Sequence, residues 1–526
     1  MRPALEIKGR AASDGIFAGP MIYLGATNAI RRHSGSIAGE RQALEAAITE
    51  AIAEITALME KAEGAAAGIL AFQVAMLEDA ALCAPALAAI SDKLAADRAW
   101  TAALDAEIAG YEASSDDCFR ARSADLKDIR DRVLRLLSGV RQIIHASGAV
   151  LAGEDVAPTI FLETDWSHGG GIALTAGSVT SHVAMLARAR GVPMVVGLGS
   201  VDFRSHNEII VDGESGLVIL DPAPGAYRFY EERSVAFAAR RAAESAFLLR
   251  KARRKDETPI EILLNVASVE ELDHIDPKCC DGIGLMRSEF LFRDGEPLPD
   301  EEQQYRAYRR FIEWAEGKPV TIRTLDIGGD KPIRGLTPEG EKNPFLGLRG
   351  VRLMLAHPDV FRTQLRALAR AAVHGKLKIM IPMITTQQEF AQTAALLDEC
   401  VAELDGARPR PPLGIMVEVP AVAIAPELFP DAAFFSIGSN DLTQYVTAAA
   451  RDEAAVSFLN ESTHPAVMRL IASVCGFGQA NNMPVSLCGD MASDPAHLAS
   501  LMAAGLRSLS VVPARVARIK SALAEI

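Results

Sequence analysis

The sequence predicts a multidomain α/β protein. A small β/α domain is interrupted by a helical bundle, and a helical linker then leads to a C-terminal (β/α)8 barrel. Three observations predict this. From about residue 258, eight apolar runs begin near Ile260, Gly282, Val320, Ile379, Gly414, Phe434, Val485 and Leu509, most of them separated by Ala/Leu/Arg-rich stretches long enough for helices. Between residues 36 and 144 the chain is rich in Ala, Leu, Glu and Arg and holds one proline, Pro85. On either side of that stretch the texture is short apolar runs punctuated by glycines.

Taken in order, residues 1–35 carry the first strands, with turns at Gly15, Gly19 and Gly25. Residues 36–144 contain ERQALEAAITEAIAEITALMEKA, whose apolar residues recur at three- and four-residue spacing, the period of a helix with one buried face. Residues 145–225 return to strands in AVLAGE, TIFLE, GIALTAG, MVVG, EIIVDG and LVILDP, completing the domain that the bundle interrupts. Residues 226–257 read as a helical linker whose basic finish, RKARRKDE, is a solvated face rather than a binding patch. Residues 258–526 match the ~250 residues of an ordinary (β/α)8 barrel.

Composition bounds the function. At ~150 residues per domain, 526 residues make three or four folding units. With 49% hydrophobic and 23% charged residues, wholesale disorder is excluded. A net charge of −14 argues against nucleic acid and anionic membranes as partners and permits a basic protein partner. The seven cysteines form no CxxC pair and read as reduced thiols. MRPALEIKGRAASDGIF lacks the apolar run of a signal peptide, and Gly64 to Leu77 is too short to span a bilayer, so a cytoplasmic protein without membrane insertion is expected.

In a (β/α)8 barrel the C-terminal strand ends build the active site. Arg287, Arg323, Glu418, Asn440, Asp441 and Cys488 are the polar residues in which predicted strands end. Arg349, Arg352 and Arg451 add further guanidinium groups. Arginine suits bidentate recognition of carboxylate and phosphate, so several at one mouth suit a small polyanion; any single one is more commonly a salt-bridge partner. Glu418 and Asp441 make a Mg2+ site in the usual way, two carboxylates completed by substrate oxygens and water. Cys488, a thiol protonated at neutral pH, can act as a general acid, although packing is the commoner role of a lone cysteine. Far upstream, AGSVTSHVAMLARARGVP predicts a helix capped by Thr180 or Ser181 and stopped by Gly191 and Pro193. His182 then sits in its first turn, where free N–H groups and the positive helix end favour a phosphoryl group on the ring. The adjacent Cys279 and Cys280 carry no assigned function, and the glycine pair of DIGGDK is weak evidence of a phosphate cradle.

These motifs resemble enzyme I of the phosphoenolpyruvate-dependent sugar phosphotransferase system. The matching segments, in the family's order, are TSHVAMLAR, GIGLMRSEFLF, RTLDIGGDK, NPFLGLRGVR, GIMVEVP, FFSIGSNDLTQY and LCGD. RSADLKDIRDRVLR resembles the family's carrier-docking helix. The resemblance implies a swivelling phosphohistidine domain with the docking bundle inserted, and a TIM barrel that binds phosphoenolpyruvate. It implies Mg2+-dependent transfer of the phosphoryl group to His182 with release of pyruvate, then onward to a histidine of HPr or an HPr-like carrier. By the same resemblance Arg287, Arg323 and Arg451 bind substrate anions, Asn440 holds the phosphate, Asp441 belongs to the substrate-binding set, and Glu418 and Asp441 bind the metal. Cys488 protonates the enolate, and the barrel forms a homodimer. Several positions depart from the family's usual residues: Gly177, Ser178 and Val179 before the histidine motif, Val183 after it, Val419, Ala450, Asp490, and Gln73 in the bundle. The end at Ile526 precedes the family's usual helical tail. A phosphoenolpyruvate-sensing regulatory protein is the alternative outside enzymology. A dikinase or phosphoenolpyruvate-synthase relative is the nearest enzyme alternative, disfavoured because the β domain starts almost at residue 1 and leaves no room for a nucleotide domain. A nitrogen-type carrier or a dihydroxyacetone-phosphorylating system remains open as the pathway.

Overall fold

The computed structural model describes residues 4–25, 33–60, 65–91, 94–112, 117–139, 147–179, 181–292, 297–329, 333–338, 340–404, 409–450, 453 and 455–526. The chain divides into two compact units, 1–240 and 241–526.

The first unit is built on one eight-stranded mixed sheet. Its strands are β1 (Leu5–Lys8), β2 (Arg10–Ser13), β3 (Ile16–Leu24), β4 (Val150–Gly153), β5 (Gly171–Leu174), β6 (Met194–Val196), β7 (Glu208–Asp212) and β8 (Leu217–Leu220). Their spatial order is β1-β8-β7-β3-β4-β5-β6-β2. Strands β3 and β4 pair in parallel, Met21 opposite Val150, although five helices separate them in sequence. The helices are therefore an insertion into one sheet, as the alternation of textures predicts.

Those helices span Ile37–Met59, Ala65–Glu78, Ala80–Ala89, Ala96–Glu112 and Asp117–Leu137. Ser36 caps the first by accepting from the Gly39 N–H at 3.1 Å. Leu44, Ile48, Ala51 and Ile55, spaced by four, three and four residues, line its buried face. They pack with Trp100, Leu104, Leu126, Ile129 and Val133 into a core separate from that of the sheet. Among the described residues no single helix is long and apolar enough to cross a membrane.

The helix Pro224–Ser245 follows the sheet. The predicted linker helix runs to 257, but the observed one stops at Ser245 because the backbone beyond it is engaged elsewhere. The buried Lys520 ammonium donates hydrogen bonds to the carbonyls of Leu248, Arg250 and Cys279 at 2.8, 2.8 and 2.6 Å. Carbonyls committed to a lysine are lost to an i→i+4 helical ladder.

The second unit is a closed barrel of eight parallel strands. They are β9 (Glu261–Val266), β10 (Gly282–Arg287), β11 (Val320–Arg323), β12 (Leu377–Ile381), β13 (Leu413–Val417), β14 (Phe435–Ile437), β15 (Val485–Leu487) and β16 (Ser508–Val511). Each begins within two residues of its predicted start. The runs are largely apolar because both faces of a parallel barrel strand are covered. After β16 one helix, Val516–Leu523, closes the described chain.

Candidate active site

A cleft opens at the C-terminal ends of the barrel strands, lined by Arg287, Arg323, Glu418, Asn440, Asp441 and Cys488 together with Asp326 and Arg349. Parallel strands deliver these side chains to one mouth because all of their C-terminal ends point the same way. Arg287 is the last residue of β10 and is solvent-exposed. Arg323 is the last residue of β11 and is buried. Glu418 follows β13 directly, and Cys488 follows β15. Asn440 and Asp441 are not strand-end residues, as expected from sequence, but belong to the first turn of the helix Ser439–Thr447, which starts two residues after β14. Arg451 lies outside the described residues. Of the two arginines in NPFLGLRGVR, Arg349 lines the cleft, whereas Arg352 turns to Thr385 Oγ1 at 2.7 Å.

The centre of the cleft is a buried ion network. Arg323 reaches Glu289 Oε1 at 2.9 Å and Asp326 Oδ2 at 3.0 Å. Arg349 reaches Asp326 Oδ2 at 3.1 Å and Asp441 Oδ2 at 3.3 Å. The Asp326 N–H donates to Glu289 Oε1 at 2.9 Å, tying the loop after β11 to the end of β10. Burying charges is costly unless they are paired, and each guanidinium here bridges two carboxylates. Burial opposes the charge of Arg349, but the carboxylates of Asp326 and Asp441 outweigh it and hold its pKa above the ordinary value. Gly328, at φ +103, makes the network possible. A Cβ there would lie 2.8 Å from both Arg349 Cβ and the Leu348 carbonyl oxygen.

Asp326, Glu418 and Asp441 can bring one carboxylate oxygen each to within 4.8 Å of one another. Glu418 is 1% exposed, and its Oε1 accepts from the Met383 N–H at 2.6 Å. Burial, then the carboxylates of Asp326 and Asp441, push its pKa up to about 8, with Arg323 and Arg349 pulling back. Three hard oxygen donors this close together are a donor set suited to a divalent cation that keeps part of its water, and a bound cation would displace the proton that burial favours on Glu418. Asn440 and Asp490 pair reciprocally, Nδ2 donating to the Asp490 carboxylate at 2.9 Å and the Asp490 N–H donating to Oδ1 at 3.0 Å. Cys488 is 4% exposed, with Sγ 3.6 Å from the Ile437 carbonyl oxygen. Burial raises its thiol pKa, so it keeps its proton at neutral pH.

Comparison with known proteins gives this arrangement a family. Residues 8–122 match the PEP-utilising enzyme, N-terminal region, residues 145–216 the mobile domain of those enzymes, and residues 241–526 their PEP-binding domain. The phosphoenolpyruvate-protein phosphotransferase of Geobacillus stearothermophilus is 36% identical over 539 residues, covering 97% of this chain and 92% of the relative. The chain belongs to the phosphoenolpyruvate-protein phosphotransferase family. The Priestia megaterium member is 35% identical, covering 99% of this chain and 94% of its own. The Haloferax volcanii member is 38% identical, covering 77% and 72%.

In this phosphotransferase family member, His182 lies in the first unit, within the region matching the mobile domain. It opens the helix His182–Arg190, capped by Ser181 Oγ accepting from the Ala184 N–H at 3.2 Å and ended by Gly191 in the left-handed conformation. Thr180, the other capping candidate, lies outside the described residues. The Arg188 guanidinium holds the loop before the helix by donating to the Val179 carbonyl at 2.8 Å. The ring of His182 is about a quarter exposed, and its Nδ1 faces Asp125 of the helical insertion.

Sequence reasoning missed three members of these sites: Asp326, Glu289 and Asp125. Asp326 stands three residues after Arg323, in the same RTLDIGGDK segment, and that i+3 carboxylate was the available signal. Glu289 stands two residues after Arg287. Asp125 gives no local signal, because its partner is 57 residues away.

Proposed function

We propose that the chain is a Mg2+-dependent phosphoenolpyruvate-protein phosphotransferase that phosphorylates its own His182 and passes the phosphoryl group to a histidine on HPr or an HPr-like carrier. It is a cytoplasmic first step of a sugar phosphotransferase system. The observation that carries this reading is the convergence of arginines, three clustered carboxylates and a buried protonated thiol in one cleft, in a chain related to these phosphotransferases over nearly its whole length.

Each residue then has a physical role. Arg287 and Arg451 bind anionic substrate oxygens. Arg323 and Arg349, already held in place by carboxylates, stabilise charge without reorganising, which is what phosphoryl transfer chiefly requires. Asn440 donates to the phosphate while Asp490 fixes its orientation. Asp326, Glu418 and Asp441 are suited to holding the cation, which, when bound, neutralises charge on the transferring phosphoryl group. His182 attacks phosphorus, and the P–O bond breaks with its electron pair going to the enolate oxygen. Cys488 delivers its proton to the methylene carbon, yielding pyruvate. The region matching a mobile domain supports a histidine that visits the barrel mouth and then the carrier. The bundle's acidic composition supports a basic carrier partner, and a homodimer through the barrel completes the assembly.

Isotope exchange tests this without a carrier. With phosphoenolpyruvate and Mg2+, labelled pyruvate is expected to exchange into phosphoenolpyruvate in wild type and not in His182→Ala. Phosphoenolpyruvate binding with no exchange in wild type would convert the reading to a sensor.

A further inference from the structure

Asn265 interrupts the apolar stretch Ile262–Val266 of β9. A polar amide in a barrel wall is costly unless it is hydrogen-bonded, and this one is. Its Nδ2 donates to the carbonyls of Cys488 and Ser510, both at 3.1 Å. Both partners are acceptors, so the atom facing them is the nitrogen, and each of its two N–H bonds is used. Oδ1 has no hydrogen-bond partner among the described residues, so the amide's hold on the wall rests on Nδ2 alone. In the barrel, β16 stands between β9 and β15. The Asn265 side chain therefore spans β16, at Ser510, to reach the end of β15. The wall is weakest there. Among the described residues β15 and β16 align only at Leu487 opposite Leu509, whereas every other neighbouring pair of barrel strands aligns three or more residues. Cys488 lies one residue past β15, beyond that pair. Its N–H donates to the Ile437 carbonyl of β14 at 3.0 Å, and its own carbonyl accepts from Asn265 of β9.

We propose that Asn265 is a positioning residue for Cys488: its side-chain amide ties the Cys488 carbonyl to the barrel wall and so aims the thiol at the substrate carbon to be protonated. This rests on the phosphotransferase reading above. Holding both the N–H and the C=O of one residue restrains its φ and ψ, and these set the direction of the Cα–Cβ bond that carries the sulfur. Leu285, Met380 and Met416 pack against Cys488, but apolar contacts are non-directional and cannot aim a thiol. The step served is protonation of the enolate. The S–H bond breaks with its electron pair left on sulfur, the proton forms a C–H bond at the methylene carbon, and the enolate oxygen becomes the ketone of pyruvate. A displaced thiol harms this step and leaves attack on phosphorus untouched.

The test compares the full chain with Asn265→Ala in two ways. Without substrate, iodoacetamide labelling of Cys488 is followed by peptide mass spectrometry, with the buried Cys475 as internal control. The variant is expected to label Cys488 several times faster and Cys475 at the wild-type rate. With phosphoenolpyruvate and Mg2+, rapid-quench single turnovers are expected to form phosphohistidine at the wild-type rate but release pyruvate about tenfold more slowly, the scale of a misplaced proton donor. In a Cys488→Ala background the same change at Asn265 should slow release no further, because the group it positions is gone. A merely structural residue would slow both steps, or add its effect to that of Cys488→Ala. Asn265→Leu, which keeps the volume without the donors, serves for the same comparison if the alanine variant does not fold. Unchanged Cys488 labelling, equal slowing of both steps, or an additive double variant would overturn the proposal. Absence of phosphohistidine in wild type would instead overturn the phosphotransferase reading, and the labelling would still decide whether Asn265 holds Cys488.

Discussion

The barrel mouth and the His182 site solve opposite problems. At the mouth, Arg323 and Arg349 are each clamped between two carboxylates and Glu418 is tied to the Met383 backbone, so the charges are fixed before any substrate arrives. At His182 the ring is partly exposed and, among the described residues, has one charged contact, Asp125. A site that stabilises charge gains from being over-determined, because nothing must reorganise during the reaction. A side chain that has to accept a group in one place and give it up in another gains from being held by a single replaceable contact. The contrast says that damage at the mouth should slow transfer by degrees, whereas loss of the His182 ring itself should be all or none.

Substitutions can break that comparison. The largest effect is expected from His182→Ala, with complete loss of acid-labile protein phosphate by radiolabelling; residual label would mean that another residue carries the group. Next, Glu418→Gln removes one oxygen of the carboxylate cluster. Single-turnover phosphohistidine formation should fall about a thousandfold, equivalent to about 4 kcal/mol of charge stabilisation. Mg2+ binding by calorimetry should weaken in parallel, and intact Mg2+ affinity would take Glu418 out of the cation site. Cys488→Ala should still form phosphohistidine but release pyruvate about a hundredfold more slowly, the loss typical of a general acid. Unchanged release would remove Cys488 from the mechanism.

Two smaller effects sharpen the comparison through stability. Gly328→Ala places a Cβ 2.8 Å from Arg349 Cβ on a backbone with φ +103. It should cost roughly 1–3 kcal/mol in denaturant unfolding and disturb the mouth. The smallest concerns Asp128, whose carboxyl pKa burial raises against the pull of Arg132, Thr159 and Gln73. Between the ordinary carboxylate value and the raised one, the folded protein holds a proton that the unfolded chain has lost. Stability therefore falls as pH rises through that window. Asp128→Asn should lose this slope, so its melting temperature relative to wild type should climb as pH rises; a constant difference would contradict the assignment.

The barrel was legible because its strands are short, largely buried apolar runs, and four of them, β10, β11, β13 and β15, end at or one residue before a functional side chain that projects into one mouth. That is why Arg287, Arg323, Glu418 and Cys488 were found together. The helical insertion was legible from composition alone, since Ala-rich three- and four-residue periodicity cannot be mistaken for the glycine-bounded strands around it. Asp326 and Glu289 lie past strand ends, where direction depends on how a loop folds over its neighbours. The i+3 spacing to Arg323 hints at the first but cannot aim it. Asp125 was beyond reach for a different reason: its contact with His182 exists only because the inserted bundle packs against its host domain, which no local pattern records. The linker helix was overextended because helical composition persists past Ser245, while Lys520, far along the chain, claims the carbonyls a helix would need.

The most direct measurement is single-turnover release of pyruvate from phosphoenolpyruvate and Mg2+, with no carrier and no ATP. The account predicts a burst near one pyruvate per chain, matched by acid-labile phosphate on the protein and absent in His182→Ala. Phosphoenolpyruvate binding without a burst, or a burst that survives in His182→Ala, would contradict it.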